Sequence, residues 1–165
     1  MTWGRARCAL HRLSGRCHRT ASPLPATAAR LAVALRKAIG GSFGPFYAKA
    51  LLRAARAVGG HGTLSAREWA TAFDEAVTAI CELGDRTMVD ALRPGSDAFI
   101  FAAEAGQSLE QSWAEAIKAA EVGHEATKAM CAGAGCAAYL GDRAVGIPDG
   151  GAAAAVVWMK ALKAL

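Results

Sequence analysis

Between residues 26 and 39 the run ATAARLAVALRKAI sets Ala28, Leu31, Ala32, Leu35 and Ile39 on one helical stripe. Gly40 and Gly41 interrupt it. SFGPFYAKALLRAARAV then opens a second helix, with Ser42 as its cap and Pro45 in the first turn, where a missing N–H costs least. Phe46, Ala50, Leu51, Ala54 and Ala57 recur at the same spacing. GGHGT at 59–63 breaks the chain, and SARE at 65–68 reads as a capping box that starts a third helix near 66. Trp69, Ala72, Phe73, Ala76, Val77 and Ile80 give that helix a buried face, ending near Leu83. GDRTMVDALRPG is a polar glycine turn leading into an amphipathic run whose extent past Pro94 and Gly95 the pattern leaves open. SLEQ at 108–111 is a second capping box. It opens the longest helix, with Leu109, Trp113, Ala116, Ile117, Ala120 and Thr127 on one face and a stop expected at AGAG, 132–135. A glycine-punctuated loop, GCAAYLGDRAVGIPDGG, precedes the last helix, AAAAVVWMKALKAL. With no β-branched alternation anywhere, the expected class is all-α.

Composition narrows the packing. The 165 residues suit one ordinary domain, and 53% hydrophobic residues suffice for a core. Aromatic residues supply only 7%, so the core is expected to come from helices that approach closely through alanine and glycine. No window of about 18 apolar residues offers a membrane span, and the chain reads as soluble.

Charge divides the chain. Residues 1–67 carry twelve Lys or Arg and no acid before Glu68; residues 68–165 hold seven basic residues against fourteen acidic ones, a net −7. A basic half suggests an anionic partner. Arg5, Arg7, Arg12, Arg16 and Arg19, however, sit without periodicity, aromatic interleaving or a nucleic-acid motif, so neither nucleic acid nor membrane is expected as a partner. The expected organisation is a disordered basic segment at 1–25 followed by one helical domain at 26–165. The five cysteines are odd in number and show no disulfide framework, which points to the cytoplasm. Cys8, His11, Cys17 and His18 are zinc-ligand types, but their spacing matches no common finger.

What is left for chemistry lies in three glycine loops, 40–44, 84–90 and 141–151. Glycines that open a helix let backbone N–H groups approach an anion, and the helix dipole adds roughly half a positive charge. GGSFG fits that description, and a tight helix junction explains it as well. Asp85 and Asp90 stand with Arg86 and Thr87, an arrangement that a cap and a surface ion pair also produce; Asp149 before Gly150 and Gly151 has the form of an N-cap.

Taken in order, GGSFGPFY, GDRTMVDAL and GHEATKAMCAGAGCAAYLGDRAVGIPDGGA resemble three signature blocks of the L subunit, or C-terminal nucleotide-binding domain, of dihydroxyacetone kinase. The resemblance runs from about residue 27 to 165. It implies an antiparallel barrel of α-helices holding ADP or ATP with Mg2+ at one end. It also implies a K-type subunit or domain that carries the ketose. In one branch of the family the donor is ATP; in the other a phosphotransferase-system M-type subunit rephosphorylates bound ADP. Carried over to this chain, the phosphate turn falls on Gly41 and Ser42, the residues near the adenine on Thr87 and Met88, and the closing turn on Asp149, Gly150 and Gly151. Tyr139, Leu140 and Gly141 match a shape-defining loop. Homodimerisation is a further partner option.

The departures bear on activity. Phe43 stands where the resemblance implies a second serine, Cys136 where it implies a nucleotide-contacting arginine, and Gly150 where it implies proline. The Asp-rich metal loop belongs upstream of Gly40, where this sequence has no Asp or Glu. Mg2+ binding and phosphoryl transfer both need such oxygen ligands. The first helix and metal loop are therefore expected to be missing or replaced, as a truncated or out-of-frame gene start would produce. The resulting expectation is a phosphoryl-donor component of a dihydroxyacetone (glycerone) kinase, impaired in this chain, with no catalytic or metal ligand assigned. The alternative is a non-catalytic helical scaffold that docks a partner.

Overall fold

The computed structural model describes residues 24–39, 43–59, 63–81, 88–130, 143 and 145–164. Six α-helices account for most of these: α1 Leu24–Ala38, α2 Phe43–Ala57, α3 Ala66–Cys81, α4 Val89–Glu104, α5 Leu109–Ala126 and α6 Gly150–Lys163. A 3₁₀ turn, Thr127–Ala129, follows α5, and no strand occurs among the described residues. The all-α expectation holds. The expected disordered segment at 1–25 falls almost wholly outside the described residues, as do Cys8, His11, Cys17 and His18.

The ends of the helices follow from local chemistry. At α3, Ser65 N–H donates to Glu68 Oε2 at 2.8 Å and Glu68 N–H to Ser65 Oγ at 3.3 Å. At α5, Ser108 N–H donates to Gln111 Oε1 and Gln111 N–H to Ser108 Oγ. Both capping boxes read from sequence are thus present. α4 closes in a Schellman turn: Gly106 at φ +81° lets its own N–H reach Ala103 O and that of Gln107 reach Ala102 O.

One helix settles a point that the pattern left open, and another ends earlier than expected. α4 runs unbroken through Pro94 and Gly95, because tertiary burial of Ala91, Leu92, Gly95, Ser96, Phe99, Ala102 and Ala103 outweighs the hydrogen bond that proline removes. Gly95 lets α5 approach closely, since a Cβ there would make tight contacts, 3.1 Å from Ala116 O and 3.3 Å from Ala120 Cβ. α5 stops at Ala126, before the expected AGAG, and tightens into the 3₁₀ turn that buries Thr127.

Consecutive helices pack on one another, and α6 covers both α5 and α4. Asp90–Gly123 with Phe99–Trp113, and Thr127–Asp149 with Trp113–Met159, show that α4, α5 and α6 alternate in direction. The short connections that join α1 through α4 continue that antiparallel order. The core joins Val77 and Ile80 of α3, Leu92 and Phe99 of α4, Ala116 and Ala120 of α5, and Ala152, Ala155 and Met159 of α6. Aromatic edges lock it: Phe73 meets Trp113 at 5.1 Å and Phe99 meets Trp113 at 5.2 Å between ring centroids, both T-shaped. Trp113 Nε1–H finds its acceptor in Met159 O at 3.1 Å. Such edge contacts add roughly 0.5–1.5 kcal/mol beyond area burial.

Some predicted faces are rotated. Trp69 and Leu109 are exposed at 41% and 42%, while Ala70 and Ser112 beside them are buried. Ala57 is exposed, and Ala48, Ala55 and Val58 take the inward side of α2. In helices this rich in alanine, small apolar residues occur on every side, and which side faces inward depends on neighbours.

Candidate functional site

The alternation in direction places the N-termini of α2, α4 and α6 at one end. Each of the three glycine loops leads into one of them: 40–44 into α2, 84–90 into α4 and 141–151 into α6. Three positive dipole ends therefore share one face of the domain, the arrangement that favours an anion.

The α2 terminus is set by a close approach. A Cβ on Gly44 would lie 2.5 Å from Ile39 O and 3.2 Å from Arg36 O, so the first turn of α2 abuts the last turn of α1. Gly44 thus serves the tight junction. Gly41 and Ser42, to which the resemblance gives the phosphate turn, lie outside the described residues, as do Thr87, Tyr139, Leu140, Gly141 and Cys136. Arg36 and Lys37 stand exposed in the last turn of α1, beside that turn in sequence.

Met88 occupies the N-cap position of α4 and makes no side-chain cap. Its carbonyl accepts from Leu92 N–H at 2.9 Å, and its side chain is completely buried in the core. The residue that the resemblance places near the adenine is thus part of the packing beneath this end.

Asp149 is the N-cap of α6, its Oδ2 accepting from Ala152 N–H at 2.8 Å. Its own N–H donates to Thr127 Oγ1 at 2.9 Å, and the Thr127 hydroxyl donates to His124 O at 2.6 Å. Gly146, at φ +90°, donates its N–H to Lys128 O at 2.8 Å. The approach to α6 is thereby tied to the end of α5 at two points. Gly150 is exposed, with no atom within 4 Å of where a Cβ would stand, and Gly151 is half-buried. Sequence reading had Thr127 only as a member of an apolar stripe; a hydroxyl just after a helix end was the available signal.

Beside these, Lys128 pairs with Glu125, and its hydrogen bond holds the Glu125 carboxyl below the usual carboxylate range. The carboxylates described at this end are Asp90, Glu125 and Asp149, and no three His, Cys, Asp or Glu groups converge among the described residues. Asp149 is engaged as a cap and Glu125 by Lys128. These described carboxylates do not by themselves make the oxygen cage that the magnesium implied by the resemblance needs. A shallow depression lined by Gln107, Gln111, Ala114 and Glu115 lies at the opposite end, by the start of α5, away from all three glycine loops. No helix among the described residues is long and apolar enough to cross a membrane.

Comparison with known proteins gives the family of the chain. The family model described as DAK2 domain matches residues 6–164, beginning upstream of the point where the resemblance was drawn. The chain is 36% identical over 149 residues to the human protein named triokinase/FMN cyclase, an alignment covering 85% of this chain and 26% of that protein. It is 29% identical over 133 residues to the Escherichia coli (strain K12) protein named PEP-dependent dihydroxyacetone kinase, ADP-binding subunit DhaL, covering 78% of this chain and 63% of that one. To the Dictyostelium discoideum protein named probable dihydroxyacetone kinase it is 31% identical over 148 residues, covering 79% of this chain and 23% of that protein. The chain thus spans about a quarter of the length of the triokinases it matches.

Proposed function

This chain belongs to the DAK2 domain family, and from that premise we propose that it is the nucleotide-binding, phosphoryl-donor component of a dihydroxyacetone-kinase-type system. The observation that carries the proposal is the gathering of three glycine-led helix N-termini, of α2, α4 and α6, on one end of the bundle. An ADP or ATP polyphosphate is the ligand that such an end suits, through backbone N–H groups at 40–44 and 149–151. The E. coli relative's name, ADP-binding subunit, supports the same ligand. The acceptor, dihydroxyacetone or a related ketose, would be held by a K-type partner that meets this end.

In this chain the transfer is impaired. A phosphoryl group in flight needs its charge neutralised, and the first 67 residues contain no carboxylate to recruit a cation. Phe43 and Cys136 replace the polar groups that the resemblance implies near the phosphates. Gly41, Ser42, Thr87, Met88, Asp149, Gly150 and Gly151 contribute binding and shape; none is assigned to proton transfer or nucleophilic attack. The missing acid also favours a second reading, a helical scaffold that docks its partner and binds nucleotide weakly.

Calorimetric titration with ADP, in magnesium and again in chelator, tests both parts. Weak binding of similar strength in the two conditions is expected. Absence of ADP binding in both would remove the nucleotide reading, and tight binding that disappears on chelation would remove the impairment.

A further inference from the structure

The twenty-three residues from Thr127 to Asp149 separate α5 from α6, yet the first residue of α6 must be held in place for Gly150 and Gly151 to face a ligand. We propose that Thr127 is the positioning residue of this end, its hydroxyl fixing the backbone of Asp149, and with it the α6 N-terminus, in the geometry that receives the nucleotide. The proposal rests on the nucleotide reading above.

The hydrogen-bond directions are determined. A hydroxyl has one proton and two lone pairs. The Thr127 proton goes to His124 O at 2.6 Å, which leaves a lone pair for Asp149 N–H at 2.9 Å. The residue is only 6% exposed, so water cannot replace either bond. Thr127 therefore adds a side-chain bond to the His124 carbonyl at the end of α5, which its own backbone N–H also reaches, and with the same oxygen satisfies an amide at the start of α6. The Asp149 side chain then reaches Ala152 N–H. The neighbouring Gly146–Lys128 bond fixes where the segment comes down three residues earlier. The Thr127 bond is the one, among those described, that ties the capping residue itself to the end of α5.

Thr127→Val keeps the shape and removes both bonds, whereas Thr127→Ser keeps both bonds and loses a methyl. ADP affinity of the whole chain is measured by calorimetry well below the unfolding temperature, with helix content checked by circular dichroism. Leaving the Asp149 amide without its acceptor should weaken ADP binding roughly tenfold in Thr127→Val. Thr127→Ser should bind within about twofold of the parent chain. A residue important only for stability would leave the affinity of the folded variant unchanged, and that result would overturn the inference while the nucleotide reading stood. Failure of the parent chain itself to bind ADP would instead remove the reading beneath it. Should Thr127→Val not fold, amide exchange of Asp149 and Ala152 in the parent chain decides: slowing on ADP addition supports the inference, and no change overturns it.

Discussion

A Cβ placed on Gly123 would lie 2.2 Å from the carbonyl oxygen of Asp90, so the backbone of α5 rests directly on the first turn of α4. Pro94, four residues on from Asp90, has no N–H to offer that carbonyl, and its Cγ would be 3.1 Å from the same Cβ. The contact depends on glycine, and it sets the height at which the α4 N-terminus enters the candidate site.

Gly123→Ala is therefore expected to destabilise the fold. Alanine gains about 1 kcal/mol of helix propensity over glycine. Against that stands a clash with backbone, which costs roughly 1–3 kcal/mol and more where the helices must separate. A lower urea midpoint is predicted; an unchanged or higher one would show that α4 and α5 do not meet as closely as described.

Gly150→Pro should act in the opposite direction. Gly150 is the first residue of α6, where N–H has no intrahelical acceptor and proline is at home. Asp149 before it is already extended, at φ −67° and ψ 135°, as a residue preceding proline must be. Reduced freedom of the unfolded chain should add about 0.4–1 kcal/mol. Thermal denaturation checks this, and a fall in stability would contradict the assigned start of α6.

Asp74 links α3 to α4 by accepting from Arg93 Nη1 at 2.9 Å and from Ser96 Oγ at 3.0 Å. The two bonds differ in weight. Arg93 is well exposed, so Arg93→Ala should cost under about 1 kcal/mol. Ser96 is fully buried, and Asp74→Ala strands its hydroxyl at a cost of about 1–3 kcal/mol. Asp74→Ala removes both bonds and should cost more than Arg93→Ala on denaturation; equal costs would mean that the ion pair carries the link.

Where a local rule governed, the sequence was legible. Ser65 with Glu68, Ser108 with Gln111, and Asp149 all cap as their spacing implies, because a cap needs only neighbours along the chain. The passage of α4 through Pro94 was not legible, since it depends on Phe99 and Ala103 finding α3 and α5. The inward turn of Ala70 in place of Trp69 is of the same kind. At the candidate site, the order of the glycine blocks carried the family, and Asp149 was found where its cap role required. Thr127 was missed because its partner lies 22 residues away, across a loop whose return to α5 no local pattern encodes.

The central claim is that nucleotide meets the chain at the N-terminal ends of α2, α4 and α6. Mapping ADP-induced shifts of backbone amides by 15N-edited NMR tests it most directly. The largest shifts should cluster at Gly44, at Met88 to Asp90 and at Asp149 to Ala152, with the Gly106 to Gln111 turn at the opposite end unmoved. Shifts centred on Gly106 to Gln111, or none at ADP concentrations that saturate weak binders, would contradict it.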